Sequence, residues 1–590
     1  MNAAPRVHRA DERETAAAAA GADRAFRGLL ARLTGALSPA SSALALYDWM
    51  LHLAGAPGHQ LALTRLATRD ALALLVPTHA RAEAQETAAA ARFADVAWNR
   101  PPYDALRDAF LACERWWQAA THGVPGVAPH HERLVAFGAR QWLDLLSPTN
   151  TLLGNPVAWQ RTVASGGANL VAGALHAIED AERLLLDLPP AGTDAFVPGR
   201  TVACTPGRVV LRNRLVELIQ YAPTTRRTRP EPILLVPAWI MKYYVLDLTP
   251  RDSLVRFLVD AGFTVFCLSW KNPDAQDRGL GLEHYLDLGV RASLDAIGQI
   301  LRGARVHAVG YCLGGTLLAM AAAAMGRDGD TRLASVTLLA AQTDFTEPGE
   351  LGLFIDHSQV AYLEDRMADT GYLGARQMAG AFQMLRSYDL LWSRLVRDYL
   401  LGERAAPTAL AAWNADTTRM PARMHAQYLR QLFLDNDLAA GRYRVDGRPV
   451  SLHDIRGPVF CVATERDHVA PWPSVYKLHA LTDADLTFVL VSGGHNVGIV
   501  NPPGAARGEF RQQRRAPGAA TPTPDAWRQA TPAVPGSWWP AWRDWLAARS
   551  GALRQPPTLG ARGARPRADA PGTYVHVRQP HRPNPSRTIP

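Results

Sequence analysis

The sequence predicts an α/β protein: a mainly parallel sheet, interrupted by a helical insertion and preceded by a mostly helical N-terminal domain. Three observations carry this. From about residue 230, short apolar runs alternate with amphipathic stretches of helical length, the pattern of a parallel sheet with right-handed crossovers. Between about 343 and 440 that alternation stops, and a helical pattern rich in Met and aromatics takes its place. From about 23 to 200 the apolar periodicity is helical.

Taken in order, residues 1–22 are Ala-rich and polar and are expected to be loose. "PASSALALYDWMLHLAGAPG" offers Ser41 or Ser42 as a cap, an apolar stripe, and Gly-x-Pro-Gly as a stop. "PPYDALRDAFLACERWWQAAT" and "NPVAWQRTVASGGANLVAGALHAIEDAERLL" predict further amphipathic helices, completing a domain over 23–200. After the Pro/Arg-rich linker "APTTRRTRPE", "PILLVPAWI", "FTVFCLSW", "RVHAVGY" and "RLASVTLLAA" predict strands with helices between them. The insertion at 343–440 is a lid candidate, since it falls at the edge of the sheet where such folds carry lids. "PVFCVAT" and "DLTFVLV" resume the sheet, "GSWWPAWRDWLAARSG" adds an aromatic-anchored segment, and the catalytic domain runs over 201–549. The Pro-, Arg- and Gly-rich stretch 550–590 is expected to be disordered.

Composition excludes some functions. The net charge is +9, but the stretch from Gly551 to Pro590 holds seven Arg and one Asp, so most of that charge is local. The remaining body is near neutral, which argues against a nucleic-acid footprint. Only three lysines occur, Lys242, Lys271 and Lys477. With no apolar run of membrane-spanning length and no apolar signal core at the N-terminus, the expectation is a cytoplasmic protein. Five cysteines stand far apart with no C-x-x-C pair, so neither a zinc site nor a disulfide framework is expected. Cys267 and Cys461 lie inside strand-like runs and read as small buried side chains.

Cys312 differs because of its neighbours. "VHAVGYCLGGTLLAMAAAA" has the form G-x-nucleophile-x-G at the end of a strand and the start of a helix. That is the nucleophile turn of an α/β hydrolase, with cysteine where serine is usual. Gly310 and Gly314 would relieve the clash where strand and helix converge, and the helix N-terminus would favour thiolate. The chain order nucleophile, acid, histidine is completed by Asp467, just after "PVFCVAT", and His495, just after "DLTFVLV". The gap of 155 residues between Cys312 and Asp467 is what a lid insertion produces. In this reading His495 takes the thiol proton and Asp467 orients its ring. An oxyanion hole would come from the Leu313 N–H and an N–H near Trp239 or Ile240, after the first predicted strand of the series. A thiolate exchanges reversibly with a thioester, and passing the acyl group to an alcohol is downhill. The cysteine therefore suits acyl transfer from a thioester to a hydroxyl, without excluding hydrolysis.

The sequence resembles the poly(3-hydroxyalkanoate) synthases. The resemblance rests on "GYCLGG" (Gly310–Gly315), "KYYVLDLTPRDSLVRFLVDAGFTVFCLSWKNPD" (Lys242–Asp274), "TERDHVAPW" (Thr464–Trp472) and "SGGHNVGIVNPP" (Ser492–Pro503). "SPTNTLLGNP" (Ser147–Pro156), "FADVAW" (Phe93–Trp98), "GSWWPAW" (Gly536–Trp542) and "DWMLHLAGAPG" (Asp48–Gly58) extend it over about 25–550. It implies an α/β-hydrolase fold and polymerisation of (R)-3-hydroxyacyl-CoA, with 3-hydroxybutyryl-CoA the expected substrate, into polyester with release of CoA. It further implies a covalent acyl group on Cys312, no metal, no cofactor, a homodimer, and association of the helical N-terminal region with polyester granules. Asp467 would orient His495 or help activate the attacking 3-hydroxyl. The motif forms look more like the single-subunit, short-chain enzymes.

Two departures stand out. Met241 occupies a position where the family often has Asn before Lys-Tyr-Tyr, which affects substrate orientation or CoA contact. Arg386-Ser387-Tyr388-Asp389 stands where Arg-Pro-Asn-Asp is frequent. Arg386 would meet a CoA phosphate or sit in a surface ion pair, and His468 would face the CoA channel or solvent. The rival readings are a Cys-dependent thioesterase or polyester hydrolase, and a non-catalytic granule protein.

Overall fold

The computed structural model describes residues 23, 26–27, 37–75, 92–374, 377, 391–504, 508–563 and 567–578. The chain divides into two compact units. One comprises Leu37–Ala191 and Gly380–Ala406; the other comprises Gly192–Ala379 and Pro407–Pro590, with Met1–Ala36. This departs from the expected boundaries in two places. Residues 192–200 go with the sheet, and the middle of the expected lid, 380–406, goes with the helical unit.

In the helical unit, α1 (Pro39–Ala54), α2 (Pro57–Leu74), α3 (Tyr103–Thr121), α4 (Pro129–Leu145), α5 (Pro156–Ala164) and α6 (Ala168–Leu185) follow one another. The cap of α1 is Ser38, not Ser41 or Ser42: its Oγ accepts the Ser41 N–H at 3.3 Å. Pro39 takes the first helical position, where a missing N–H costs nothing, and this moves the cap upstream. The run expected as one helix breaks at Ser165–Gly167, where Gly167 adopts φ 89°. Phe93, Trp98 and Phe110 form a small aromatic core, Phe93 edge-on to Trp98 at 4.8 Å, which gives "FADVAW" a structural role. The segment around 393–401 packs on α6 through polar contacts: Asn169 Nδ2 donates to Leu400 O at 2.7 Å and Tyr399 Oη to Asp180 at 2.9 Å. Gly173 admits that close approach, since a Cβ there would lie 1.9 Å from Tyr399 O.

The other unit is built on an eleven-stranded sheet. Its strands are β1 (Gly207–Arg212), β2 (Val216–Tyr221), β3 (Ile233–Val236), β4 (Val265–Trp270), β5 (Val306–Tyr311), β6 (Leu333–Leu339), β7 (Val459–Thr464), β8 (Leu486–Val491), β9 (Glu509–Arg515), β10 (Ala533–Pro535) and β11 (Ala568–Asp569). Their spatial order is β10-β9-β8-β7-β6-β5-β3-β4-β2-β1-β11. The central strands β8, β7, β6, β5, β3 and β4 run parallel, and antiparallel strands flank them on both sides. Every residue of those six parallel strands is buried, as expected for strands covered on both faces. Alternate side chains feed two cores: Leu234, Val236 and Phe266 one, Ile233, Leu235 and Val265 the other. Cys461 belongs to the first core and Cys267 to the second.

Between these strands lie α7 (Leu254–Asp260), α8 (Leu313–Arg327), α9 (His357–Thr370), α10 (Ala422–Gln427) and, after β10, α11 (Trp539–Ala547). Helix α8 is buried from Leu313 through Met325, which explains its nearly all apolar sequence; the one hydroxyl in that stretch, Thr316, donates to Gln342 O at 2.7 Å. The described part of 343–440 is largely helical, while 375–376 and 378–390 lie outside the described residues.

The tail is the main correction to the sequence reading. Residues 551–563 and 567–578, expected to be disordered, are ordered: β11 pairs with β1, and Val575 is buried in the second core. Thr573 and Tyr574 donate their N–H groups to the buried Glu217 carboxylate at 2.8 and 2.9 Å. Composition argued for disorder, but these few specific partners hold a Pro- and Arg-rich strand. Residues 579–590 lie outside the described residues.

Candidate active site

The end of β5 turns directly into α8 through Cys312, whose φ of 53° and ψ of −125° are outside the favoured regions for an L-residue. The turn is held by the Cys312 N–H on Leu339 O at 2.9 Å and by Gly315 and Thr316 N–H groups on Cys312 O. The glycines around it are steric requirements. A Cβ on Gly310 would lie 2.3 Å from the Gly315 Cα, on Gly314 2.1 Å from Val236 O, and on Gly315 2.4 Å from the Ala341 Cβ. Gly315 is thus a third required glycine, beyond the two in the motif.

Asp467 and His495 come together from the loops after β7 and β8. His495 Nδ1 and Asp467 Oδ2 are 2.7 Å apart. The carboxylate is otherwise saturated: Oδ2 also accepts Thr464 Oγ1 at 2.7 Å, and Oδ1 accepts the Val469 and Ala470 N–H groups at 2.9 and 2.8 Å. Two backbone bonds tie the loops to each other, Glu465 N–H to Val491 O and Arg466 N–H to Gly493 O, both 2.8 Å. The "GSWWPAW" motif supports the histidine loop from below. Trp538 and Trp539 indoles donate to Gly498 O and Ile499 O, while Trp542 and Trp545 donate to Thr337 and Thr487 of the sheet.

With Nδ1 on Asp467, Nε2 is the ring nitrogen left for the thiol in the predicted triad. Burial alone would lower the His495 pKa, but the Asp467 and Cys312 charges and hydrogen bonds hold it well above the usual imidazole value. Burial alone would raise Asp467, but the His495 charge and its four hydrogen bonds hold it below the usual carboxylate value. Both directions favour an imidazolium paired with the Asp467 carboxylate.

Trp239 and Ile240 follow β3, where the Val236 and Pro237 carbonyls lie against Gly314 at the start of α8. Their carbonyls are engaged: Thr418 Oγ1 donates to Trp239 O at 2.6 Å and Thr418 N–H to Ile240 O at 3.3 Å. In a planar trans peptide C=O and N–H point oppositely, so anchoring Trp239 O turns the Ile240 N–H the other way. The N–H groups of Trp239, Ile240 and Leu313 have no hydrogen-bond partner among the described residues. Met241 pairs with Thr417 in an isolated antiparallel bridge. His468 is half-buried against the following turn, its carbonyl accepting the Glu350 N–H at 3.0 Å. Arg386 lies outside the described residues. No cluster of three or more His, Cys, Asp or Glu side chains able to hold a metal exists among the described residues, and no described helix is long and apolar enough to cross a membrane.

Sequence reasoning missed the second layer. The Tyr311 ring lies over His495 at 5.6 Å, and its hydroxyl donates to Asn496 Oδ1. Thr464, three residues before Asp467, was available as a local signal. Tyr428, in the insertion just beyond α10, carried none: it belongs to the core that Cys312 packs against, and burial pushes its phenol well above the usual value.

A strand–turn–helix at Cys312, joined to an Asp–His pair from the ends of later parallel strands, is the arrangement of an α/β-hydrolase fold. Residues 231–502 match the α/β hydrolase fold family, residues 89–258 the poly-beta-hydroxybutyrate polymerase N-terminus, and residues 16–59 the poly-beta-hydroxybutyrate polymerase N terminal family. The chain is 41% identical to the poly(3-hydroxyalkanoate) polymerase of Methylorubrum extorquens, over 82% of this chain and 80% of that one. It is 35% identical to the poly(3-hydroxyalkanoate) polymerase subunit PhaC of Cupriavidus necator, over 82% and 83%. A monoacylglycerol lipase from Paleococcus ferrophilus aligns at a TM-score of 0.32 and 12% identity, over 57% of this chain and 99% of that one. The chain belongs to the poly(3-hydroxyalkanoate) polymerase family, and it is an enzyme of that class.

Proposed function

We propose that the enzyme polymerises (R)-3-hydroxyacyl-CoA, with 3-hydroxybutyryl-CoA as the expected substrate, through an acyl group carried on Cys312. The observation that carries this reading is a strained cysteine at a helix N-terminus, with an Asp467–His495 pair supplied by the loops after two later strands of the same sheet. The Cys312 thiolate attacks the thioester carbonyl. The N–H groups of Leu313 and of Trp239 or Ile240 receive the developing oxyanion. Collapse breaks the C–S bond to CoA, and the leaving thiolate takes the proton held by His495. The 3-hydroxyl of a second acyl unit or growing chain then attacks acyl-Cys312. His495 accepts its proton, an ester forms, and the Cys312 thiolate is released. Asp467 orients the imidazole; its saturated hydrogen-bonding favours that role over direct contact with the hydroxyl.

The reaction so written requires neither metal nor cofactor. His468 and Arg386 are candidates for CoA contact. The relatives' names support polyester as product, and we place the enzyme in the cytoplasm on the surface of its polymer granules, as a homodimer. Exposed apolar side chains of the helical unit support such attachment: Val171, Leu175 and Ile178 at helical spacing on α6, with Trp142 and Leu146 near α4.

The test is incubation of the purified protein with (R)-3-hydroxybutyryl-CoA, following thiol release and insoluble polyester, with Cys312→Ala as control. Thiol and polymer together, both lost in the variant, are expected. Thiol with free 3-hydroxybutyrate and no polymer would instead make the enzyme a thioesterase.

A further inference from the structure

The ordered C-terminal segment ends at the loop that follows β3. Lys242, two residues beyond Ile240, is only 3% exposed. Its ammonium donates to Val577 O at 2.7 Å and Tyr574 O at 3.3 Å, and among the described residues it has no carboxylate within ion-pair distance. Asn272, at the end of the β4 strand region, donates from Nδ2 to the same Val577 O at 3.1 Å. Its Oδ1 accepts the N–H and Nε–H of Arg419 at 3.0 and 3.2 Å. Arg419 directly follows Thr418, which holds the Trp239 and Ile240 carbonyls. The Trp413 indole closes the ring by donating to Lys242 O at 2.7 Å.

A buried ammonium is costly unless its protons find acceptors, and here the acceptors come from a segment more than three hundred residues away. That segment is itself fixed: β11 on β1, Thr573 and Tyr574 on Glu217, and Tyr574 Oη on Asn213 O at 2.6 Å. Burial, partly offset by the Asp416 charge and reinforced by Arg578 and Arg419, pushes the Lys242 ammonium down to about 8.

We propose that Lys242 is a positioning residue, clamped by Tyr574 and Val577 of the C-terminal segment, which fixes the loop after β3 so that its N–H groups face the reacting carbonyl. This inference rests on the oxyanion role proposed above. Among the described residues the segment has no hydrogen bond to Cys312, Asp467 or His495, so the clamp acts on the oxyanion donors and leaves the triad intact.

The test compares wild type, Lys242→Met and a chain ending at residue 566. For both variants kcat for thiol release from (R)-3-hydroxybutyryl-CoA should fall roughly 10- to 100-fold with KM within about threefold, the scale of a misplaced catalytic donor. Alkylation of Cys312 by iodoacetamide should stay within about twofold. Amide hydrogen exchange over 238–244 should quicken by about tenfold or more, and a synthetic 567–590 peptide should restore the shortened chain. Alkylation falling in step with kcat would overturn the proposal, since the variants would then have damaged the whole site. Unchanged exchange over 238–244 would overturn it whatever the activity. Wild-type protein that releases no thiol would sink the proposed reaction instead, while the exchange measurement would still decide the clamp.

Discussion

The two units use the same kinds of apolar residues in opposite ways. In the sheet unit, the parallel strands and α8 are dry on every side, and glycine appears where even one methyl group has no room. In the helical unit, α4 buries only Asp144, and α6 only Asn169 and Gly173, while leucines, valines and tryptophans face outward. Helices α1, α2 and α3 line an open apolar groove of about 570 Å³ with Trp49, Leu53, Leu63 and Trp116. The difference teaches that a core built to hold strained geometry leaves no slack, whereas the described helices of the other unit keep much of their apolar surface exposed.

Substitutions at the catalytic turn should separate the units most sharply. Cys312→Ala should abolish thiol release, by at least about 10⁴-fold, with Tm almost unchanged. Asp467→Asn should cost about 10²- to 10⁴-fold by mis-setting the imidazole proton. Both are read from thiol release beside a thermal melt, and an active Cys312→Ala protein would remove the covalent route.

Acid should then distinguish the units by stability. His307, His425 and His479 are buried in the sheet unit, and burial pushes each down to about 4. The unfolded chain binds these three protons near pH 6.5 and the folded chain does not. Their neutral forms therefore favour the fold fully above pH 6.5, and that advantage is lost as pH falls toward 4. The slope approaches ~4 kcal/mol per pH unit for three protons. Denaturant unfolding between pH 7 and 5, probed by sheet-unit tryptophans, should show it, and His307→Gln with His479→Gln should flatten it.

Glycine-to-alanine exchanges sharpen the contrast at smaller scale. Gly314→Ala would drive a methyl group into Val236 O at 2.1 Å and should destabilise by about 2–4 kcal/mol. Gly138→Ala, on α4 with nothing within 4 Å, should stabilise by roughly 0.5–1 kcal/mol. Equal effects in thermal melts would contradict the packing difference. Smallest in stability, about 0.5 kcal/mol or less, should be Leu175→Glu with Ile178→Glu on the exposed face of α6. The same pair should reduce dimer in sedimentation and polymer-granule binding, and unchanged association would remove α6 from that role.

The sequence was most legible where local chemistry repeats a steric rule. "GYCLGG" announced a strand, a turn and a helix, because only glycine fits beside such a nucleophile. Asp467 and His495 were legible by their places after successive strands. Thr464 could have been read from its three-residue spacing, but Tyr428 could not, since nothing in a helical insertion tells which side chain joins the core that Cys312 packs against. Sequence likewise misread the tail, where Pro and Arg content argued for disorder and a handful of long-range bonds to Glu217, Lys242 and Asn272 overruled it.

By itself, then, the sequence determined the order of strands and helices, the turn at Cys312 and the places of Asp467 and His495 after later strands, because these depend on periodicity, on glycine's missing side chain and on order along the chain. Only the tertiary structure decided that 380–406 joins the helical unit, that the carbonyls of Trp239 and Ile240 are held by Thr418, and that the C-terminal segment satisfies a buried lysine. Those outcomes depend on hydrogen bonds between residues far apart in the chain, whose geometry exists only once the sheet has brought its loops to a common edge.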